Sequence, residues 1–389
     1  MLRIAFPFIS NKVWHGGHNY LLNLFSVISD YRLKEFQPVI FVGTDISNEE
    51  LKPFFKIKGI EIIKTHLFNR SRRKISLIKS IFFLADNEIE NLFLKKKINI
   101  IFENANFFGI NLRIPAIAWM PDFQHRVIPK FFLIKDWIKR ELGFRLQIVT
   151  GRFIMVSSKD SYNDCKKYYP NAANSTYIVR FAINPKKVNF HSNLSLIKKK
   201  YSLPQKYFYL PNQFWEHKNH LTVIKALILL KKLGHKVTVV SSGKQMSSNN
   251  SNYFEHILRL IKSSKIENMF ILIGIIPYKD VLSLMKGSIS VLNPSLFEGR
   301  STTVEECIAL KVPLILSDIN AHKEQVGDKA TFFKQTDHKS LAKVLLKVWQ
   351  KKIFIHNKKI SLKSNLNRIQ IFLNDFKCLV KNITNHKKN

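Results

Sequence analysis

The sequence predicts an α/β protein with two doubly wound domains, each built on a mostly parallel sheet. The first observation is length, because 389 residues at about 150 per domain leave room for two domains and a connection. The second is composition, since 46% of the residues are hydrophobic, which is enough for ordinary cores. The third is an alternation of short apolar segments with helical patterns, which is typical of parallel sheets.

In the first half, the extended segments are short, apolar and mostly separated by helical patterns. They lie at residues 3–9, 38–42, 60–64, 98–103, 114–119, 152–157 and 177–180. We therefore place the first domain at 1–180 and a weakly patterned linker, ending in a basic run, at 181–204.

The alternation then begins again. Strands are predicted at 207–210, 237–241, 269–273, 289–292 and 313–317, with helices near 219–232, 252–263, 279–286 and 302–310. They define a second domain at 205–350, and residues 351–389, with ten Lys or Arg and one acid, are predicted to form a basic helical tail. Ligands of such sheets bind outside the carboxyl ends of the strands, so we expect the active site in a cleft between the domains.

The charge balance favours anionic partners. The chain has 63 Lys and Arg against 27 Asp and Glu, a formal net charge of +36, which attracts phosphate, nucleic acid or an anionic membrane. Its three cysteines lie far apart, which fits neither a disulfide framework nor a paired metal site and indicates a reducing compartment. No apolar run approaches the ~20 residues that span a bilayer. We expect a cytoplasmic protein that touches a membrane without crossing it.

The strongest motif is the string NPSLFEGRSTTVEE at residues 293–306. It follows an apolar strand and opens an apolar helix. Glu298 is expected on the turn at the carboxyl end of the strand, where Gly299 lets the backbone come close to a ligand. The alternative is a capped surface helix with ordinary acids, which either glutamate alone would favour.

The second part of the string has the features of an anion site. Ser301 can cap the helix, and the free N–H groups of Thr302 and Thr303 with the helix dipole suit a diphosphate. Glu306 lies about one turn into the helix, where its carboxylate can accept two hydrogen bonds from a vicinal diol such as a ribose. The complete string favours a ligand site over a plain helix start.

This string resembles the E-x7-E motif of the retaining glycosyltransferases of family 4. Three more passages agree with that family: PDFQH at 121–125 followed by PKFF at 129–132, VSSK at 156–159, and LPNQFWEHKNH at 210–220. The resemblance spans about residues 1–335. It implies the GT-B fold, in which two Rossmann-like domains face each other across a cleft.

The resemblance also implies roles for individual residues. Glu298 would contact hydroxyls of the donor sugar, Glu306 would hold the ribose, and Lys218 would neutralise the leaving diphosphate. The pair Gly16-Gly17 resembles the family's glycine-rich loop, which approaches the donor phosphates and the acceptor. A solvated lysine and a plain turn are the respective alternatives for Lys218 and for the glycine pair.

One departure from the family concerns the diphosphate. Many relatives have an arginine five residues before the lysine, where this chain has Gln213. Diphosphate binding would then depend more on Lys218, on backbone donors, or on Arg300 or another basic residue.

A second departure concerns the sugar site. Relatives often carry a His-Asp or His-Glu pair, and the histidine position is Pro121 here, although Asp122 matches the acid. His125 is the nearest replacement for the imidazole. Its alternative is a histidine that caps or packs the loop.

The implied activity is transfer of a sugar, with retention, from a nucleotide diphosphate sugar to a hydroxyl of a lipid-linked glycan. The setting would be bacterial cell-surface polysaccharide, O-antigen, capsule or lipopolysaccharide biosynthesis at the inner face of the plasma membrane. Neither a metal nor a cofactor besides the donor is expected. The rival hypotheses are a nucleic-acid-binding protein, suggested by the charge, and an inactive GT-B scaffold, suggested by Gln213 and Pro121.

Two basic and apolar stretches suggest a membrane surface for the acceptor. Residues 64–79 contain six Lys or Arg and no acid, and residues 126–145 contain six basic residues among apolar ones. Basic residues beside exposed aromatic side chains suit an anionic bilayer. The alternative is a solvated helix face whose apolar side packs into the domain.

Overall fold

The computed structural model describes residues 1–31, 33–104, 106–188, 193–245, 251–350 and 362–386. It divides into two compact units. The first comprises Met1–Arg126, Ile134–Asn184 and Arg368–Asn389, and the second comprises Val127–Leu133 and Pro185–Asn367.

The first unit contains a seven-stranded sheet whose neighbouring strands all pair in parallel. Its order is β3-β2-β1-β4-β5-β6-β7. The strands are β1 (Leu2–Pro7), β2 (Phe36–Val42), β3 (Glu61–Lys64), β4 (Ile100–Glu103), β5 (Ala116–Trp119), β6 (Phe153–Val156) and β7 (Thr176–Ile178). Every strand predicted for the first half is confirmed, because short runs of apolar residues mark these positions in the sequence.

Helices cover this sheet. They are α1 (His15–Asp30), α2 (Asn48–Phe55), α3 (Arg73–Phe82), α4 (Asn87–Lys95), α5 (Gln124–Val127), α6 (Ile134–Val149) and α7 (Lys159–Tyr168). The core of this unit joins Leu24 and Phe25 of α1 to Phe6 of β1 and Phe102 of β4. The Phe6 ring meets that of Phe25 edge-on at 4.8 Å.

The second unit contains a six-stranded parallel sheet in the order β10-β9-β8-β11-β12-β13. The strands are β8 (Phe208–Leu210), β9 (Val239–Ser241), β10 (Phe270–Leu272), β11 (Val291–Asn293), β12 (Leu314–Ser317) and β13 (Thr331–Phe333). The five predicted strands are confirmed. The sixth, β13, was not predicted, because an edge strand of three residues with one buried side chain leaves little pattern.

The helices of the second unit follow the predicted alternation. They are α8 (Pro185–Val188), α9 (Leu194–Lys200), α10 (His220–Lys232), α11 (Ser251–Ser263), α12 (Tyr278–Gly287), α13 (Thr302–Leu310), α14 (Asn320–Val326) and α15 (His338–Gln350). The last helix of the chain is α16 (Leu362–His386). In the described ranges, no helix is long and apolar enough to cross a membrane.

The segment predicted as a linker is instead divided between the units. Residues to Asn184 belong to the first unit, where the Asn184 N–H donates to Asn23 Oδ1 at 2.9 Å. The helix α9 belongs to the second unit, and Lys200 donates to Asp280 of α12 at 2.8 Å. Lysines at the end of α9 masked the helical pattern.

The predicted tail is helical as expected, but it packs as part of a domain. Residues 351–361 and 387–389 lie outside the described residues, but from Arg368 onward α16 belongs to the first unit. Its side chains Phe372 and Phe376 are fully buried in that unit's core, and Asp375 accepts from Arg180 at 2.9 Å. Basic residues interrupt the apolar stripe in sequence but lie on a different side of the helix.

Candidate functional site

The site of the second unit is built where two neighbouring strands end. Strands β8 and β11 pair in parallel, so the loops that follow them emerge at the same edge of the sheet. The loop after β8 carries Lys218 and the loop after β11 carries Glu298. Lys218 Nζ donates to Glu298 Oε1 at 2.7 Å, although 80 residues separate them.

Two further hydrogen bonds fix the two loops against each other. Lys218 ends a 3₁₀ turn, Glu216–Lys218. The N–H of Leu296 donates to the carbonyl of His217 at 2.8 Å. Asn219 Nδ2 donates to the carbonyl of Pro294 at 3.0 Å. Asn219 has a left-handed backbone with φ of 58°, a conformation that asparagine tolerates better than most residues.

The Lys218–Glu298 pair is mostly buried, with side chains 17% and 10% exposed. Burial alone would raise the pKa of Glu298, but the charges of Lys218 and His322 and hydrogen bonds from Lys218 and Ser295 lower it to about 2. Glu298 is therefore a carboxylate throughout the neutral range. An ammonium has three N–H donors, so Lys218 can serve Glu298 and a second anion together.

A buried network of hydrogen-bonded polar side chains holds Glu298 in position. Ser295 Oγ lies 2.7 Å from both Glu298 Oε1 and Asn293 Oδ1. Asn293 Nδ2 donates to Ser301 Oγ at 2.7 Å, and Ser317 Oγ donates to the carbonyl of Ser295 at 2.6 Å. Such satisfied networks hold polar side chains in single positions.

His322 of α14 lies on the same network and is fully buried. Its Nδ1 lies 3.0 Å from the carbonyl oxygen of Ser317. Burial lowers the pKa of His322, while the negative charge of Glu298 opposes that shift. Glu298 and His322 therefore each favour the charged form of the other.

The start of α13 has the predicted cap. Ser301 Oγ accepts from the N–H of Val304 at 3.3 Å, and Gln325 fixes Ser301 from the other side by accepting from its N–H at 2.9 Å. Thr302 and Thr303 are the first two residues of the helix. Their N–H groups are among those that a helix leaves without intrahelical partners.

The possible use of Arg300 as a phosphate contact is not supported. Its guanidinium is almost completely buried and pairs with Glu305 at 2.7 Å. Gln325 Nε2 also donates to Glu305 at 3.0 Å. Arg300 therefore has a partner within the chain that the sequence did not suggest.

Glu306 lies in the second turn of α13 and is 8% exposed. The hydroxyl of Tyr278, the first residue of α12, donates to its Oε1 at 2.7 Å. Burial raises the pKa of Glu306 to about 7, partly opposed by that hydrogen bond. The second carboxylate oxygen can accept from a diol.

Two other predicted donor-binding residues lie in the same loops. Gly299 is buried between Glu298 and the cap of α13. Gln213 is half-buried after β8, and its carbonyl accepts from the N–H of Trp215 at 2.8 Å. Both positions are consistent with ligand contact, which stays a prediction.

The glycine pair of the first unit lies in the first turn of α1 and has a packing reason. A Cβ on Gly17 would lie 2.4 Å from the ring of Trp14, and one on Gly16 would lie 3.3 Å from it. Trp14 in turn stacks on Trp119 at 5.0 Å. The pair lets the indole cover the helix start, so its contact with the donor or the acceptor remains a prediction.

Asp122 follows β5 and is tied to α6. Its Oδ1 accepts from Arg140 at 2.6 Å and from the N–H of Gln124 at 3.0 Å. A role for Asp122 in the sugar site stays a prediction.

The structure does not place His125 where it could touch a sugar. The side chain is fully buried, and its Nε2 lies 3.2 Å from Glu141 Oε2 and 3.2 Å from the Tyr169 hydroxyl. Burial, and then the nearby Arg140 cation, lower the pKa of His125 to about 4. A histidine that packs the loop, the alternative interpretation, is what the structure shows.

The structure thus brings Lys218, Glu298 and the start of α13 together in the second unit. Gly16, Gly17, Asp122 and His125 belong to the first unit. In the described part of the chain, no group of three or more His, Cys, Asp or Glu side chains could hold a metal ion. Sequence reasoning missed the residues that support the site: Tyr278, Ser295, Ser317, His322 and Gln325. They are common residue types whose only signal is tertiary contact.

Comparison with known proteins finds one matching family model and similar solved structures. Residues 195–364 match the family model described as Glycosyl transferases group 1. A glycosyltransferase from Rickettsia africae ESF-5 is 16% identical, with 100% of this chain and 97% of that chain covered and a TM-score of 0.67. Anabaena Alr3699/HepE, solved in complex with UDP and glucose, is 14% identical, with coverage of 99% and 100% and a TM-score of 0.71.

WaaG, a glycosyltransferase involved in lipopolysaccharide biosynthesis, is 13% identical, with coverage of 96% and 95% and a TM-score of 0.60. No curated protein matches the sequence. At these identities the likeness shows a shared fold, and the two α/β units form the GT-B fold, as predicted. The group 1 glycosyltransferase match covers residues 195–364, all of them in the second unit, and the resemblance is confirmed at that level.

Proposed function

We propose that this glycosyltransferase moves a sugar, with retention, from a nucleotide diphosphate donor to a hydroxyl of a lipid-linked glycan. The observation that carries the proposal is the buried ion pair between Lys218 and Glu298. Glu298 lies three residues before Ser301, the cap of α13. A nucleotide diphosphate sugar consists of a sugar with hydroxyls, a negatively charged diphosphate and a ribose that carries the base, in that order. Glu298, Lys218 with the α13 N–H groups, and Glu306 offer matching partners in the same order.

The chemistry follows from where charge develops. Breaking the bond between the sugar and the phosphate leaves negative charge on the nucleotide. A preorganised ammonium and helix N–H groups stabilise that charge without rearrangement. Because Glu298 already holds Lys218 in place, little side-chain entropy is lost when the leaving group forms. This arrangement supports a reaction that needs no metal.

Retention fits a front-face displacement. The leaving phosphate oxygen takes the proton of the acceptor hydroxyl as that hydroxyl attacks the same face of the sugar. The proton then stays on the nucleotide, and no separate general base is needed. Glu298, with a pKa near 2, suits binding of sugar hydroxyls better than proton transfer.

The donor and the acceptor are proposed from different evidence. Anabaena HepE was solved with UDP, which favours a nucleotide sugar for this chain as well. We propose a lipid-linked acceptor at the inner face of the plasma membrane because the chain is strongly basic. The likeness to WaaG supports a role in cell-surface polysaccharide or lipopolysaccharide biosynthesis.

The test uses purified full-length protein and a panel of UDP-glucose, GDP-mannose, ADP-glucose and dTDP-glucose. One donor class should raise the melting temperature, because a ligand at 100 times its Kd adds about 2.7 kcal/mol. Hydrolysis of that donor, or its transfer to a membrane extract, should fall about 10²- to 10³-fold in Lys218→Ala. The matched control is Lys225→Ala, an exposed lysine on α10.

Near-normal turnover by Lys218→Ala would remove Lys218 from the site. No thermal shift with any donor, together with no hydrolysis, would favour the inactive scaffold.

A further inference from the structure

The helix α3 packs with a polar side toward the domain and its apolar side toward solvent. Its buried residues are Ser76 and Ser80. Its large apolar side chains face solvent, with Ile78 53% and Phe82 77% exposed. The exposed run continues beyond the helix and comprises Ile75, Leu77, Ile78, Ile81, Phe82, Phe83 and Leu84. A contiguous apolar surface of this kind marks an interaction site.

The helix α6 of the same unit shows the same inversion. Its buried residues are Glu141 and Gln147. Ile134, Ile138 and Leu142 are spaced four apart, so they form one stripe, and they are 78%, 45% and 61% exposed.

Both helices are fixed to the segment after β4. Beyond α3, Ala85 bridges to Gly109, and the N–H of Asn111 donates to the carbonyl of Leu84 at 3.0 Å. Near the end of α6, Gln147 Nε2 lies 3.5 Å from the carbonyl of Asn106. The carboxyl ends of both helices are therefore anchored to residues 106–111 of the first unit.

Charge identifies the partner. The helix α3 carries Arg73, Lys74 and Lys79 with no acid, and α6 exposes Lys135 and Lys139 beside its stripe. Of these, Lys79 is engaged by Glu88 at 3.0 Å, so it contributes less. Apolar side chains beside basic ones suit the headgroup region of an anionic bilayer, where the apolar face is buried and the cations meet phosphates.

We propose that the exposed apolar faces of α3 and α6 form a docking surface for an anionic lipid bilayer. The inference deepens the proposed function, since it names the surface that would bring the enzyme to a lipid-linked acceptor. In this proposal the apolar side chains of residues 64–79 contribute more to membrane binding than the basic ones. The reason is that two of the basic residues, Arg72 and Lys79, pair with Glu88.

The test is sedimentation of full-length protein with vesicles of phosphatidylcholine alone or mixed with phosphatidylglycerol. The α3 variant is Ile78→Ser with Phe82→Ser, and the α6 variant is Ile138→Ser with Leu142→Ser. The matched control is Leu233→Ser with Ile275→Ser, which are 60% and 77% exposed in the second unit. Each helix variant should lower partitioning onto the mixed vesicles about tenfold, while the control binds like wild type.

Equal binding of the wild type to both vesicle types would overturn the inference, and so would unchanged binding by both helix variants. A third contrary result is a wild-type protein that binds no vesicles and forms a dimer, which both helix variants convert to monomers. Light scattering after size exclusion detects the last. Lys218→Ala should bind vesicles like wild type, and the helix variants should keep the thermal shift with the donor. Failure of the docking surface is thereby separated from failure of the proposed function.

Discussion

The segment 293–306, a loop and the start of α13, and the helix α3 depart from the usual distribution of side chains in opposite directions. The segment 293–306 buries charge, with Glu298 and Glu305 inside the second unit. The helix exposes Ile78 and Phe82 and buries serines. Burying a charge is costly unless it is paired, and exposing an apolar patch is costly unless something covers it.

The difference between the two regions is where the partner comes from. In the segment 293–306, the chain itself supplies the partners, Lys218 for Glu298 and Arg300 for Glu305. For α3 we propose a partner outside the chain. A charged side chain that is already paired inside the protein can also bind a ligand. An exposed apolar face gains free energy only when another surface covers it.

The largest effect on stability is expected from breaking an internal ion pair in the segment 293–306. Arg300→Met removes the cation that pairs with the buried carboxylate of Glu305, so the free energy of unfolding should fall by about 3–5 kcal/mol. The matched control is Arg180→Met, whose half-exposed pair with Asp375 should contribute about 0–1 kcal/mol. Urea unfolding measures both. Unchanged stability with weaker donor binding would instead make Arg300 a phosphate contact.

A smaller effect is expected from Glu306, a buried acid that accepts a hydrogen bond from Tyr278. Its pKa of about 7 exceeds the usual 4.5, so the folded state binds more protons than the unfolded state between these values. Stability due to this group is therefore present below pH 4.5 and lost as pH rises through 7, by up to about 3 kcal/mol. Glu306→Gln should remove that dependence.

Urea unfolding of wild type and Glu306→Gln at several values between pH 5 and pH 8 measures the difference. Parallel pH profiles for the two proteins would show that Glu306 titrates normally. Glu306 would then not be an example of an incompletely partnered charge.

The smallest effect is expected on the exposed face of α3. Ile78→Ala should change the free energy of unfolding by no more than about 0.5 kcal/mol, because its side chain is already in water. Ile100→Ala, the same substitution at a fully buried position of β4, should cost about 2–5 kcal/mol. A large loss at Ile78 would mean that the chain covers this face in solution, and the comparison would fail.

Much of the fold could be predicted because its signals are local. The twelve predicted strands match β1 to β12, since runs of apolar residues between helical patterns depend only on neighbours in sequence. The cap at Ser301 was predicted for the same reason, as the bond to Val304 spans three residues. Failures were local too: β13 is short, and lysines obscured α9.

The sequence by itself determined the parallel α/β architecture and the motifs that put Lys218 and Glu298 in loops and Glu306 on α13. Only the tertiary structure decided that Lys218 reaches Glu298, that Arg300 is occupied by Glu305, that His125 is buried, and which side of α3 faces water. The physical reason is that these contacts join residues far apart in the chain. Their geometry depends on how strands pair and helices pack, and not on the residues beside them in sequence.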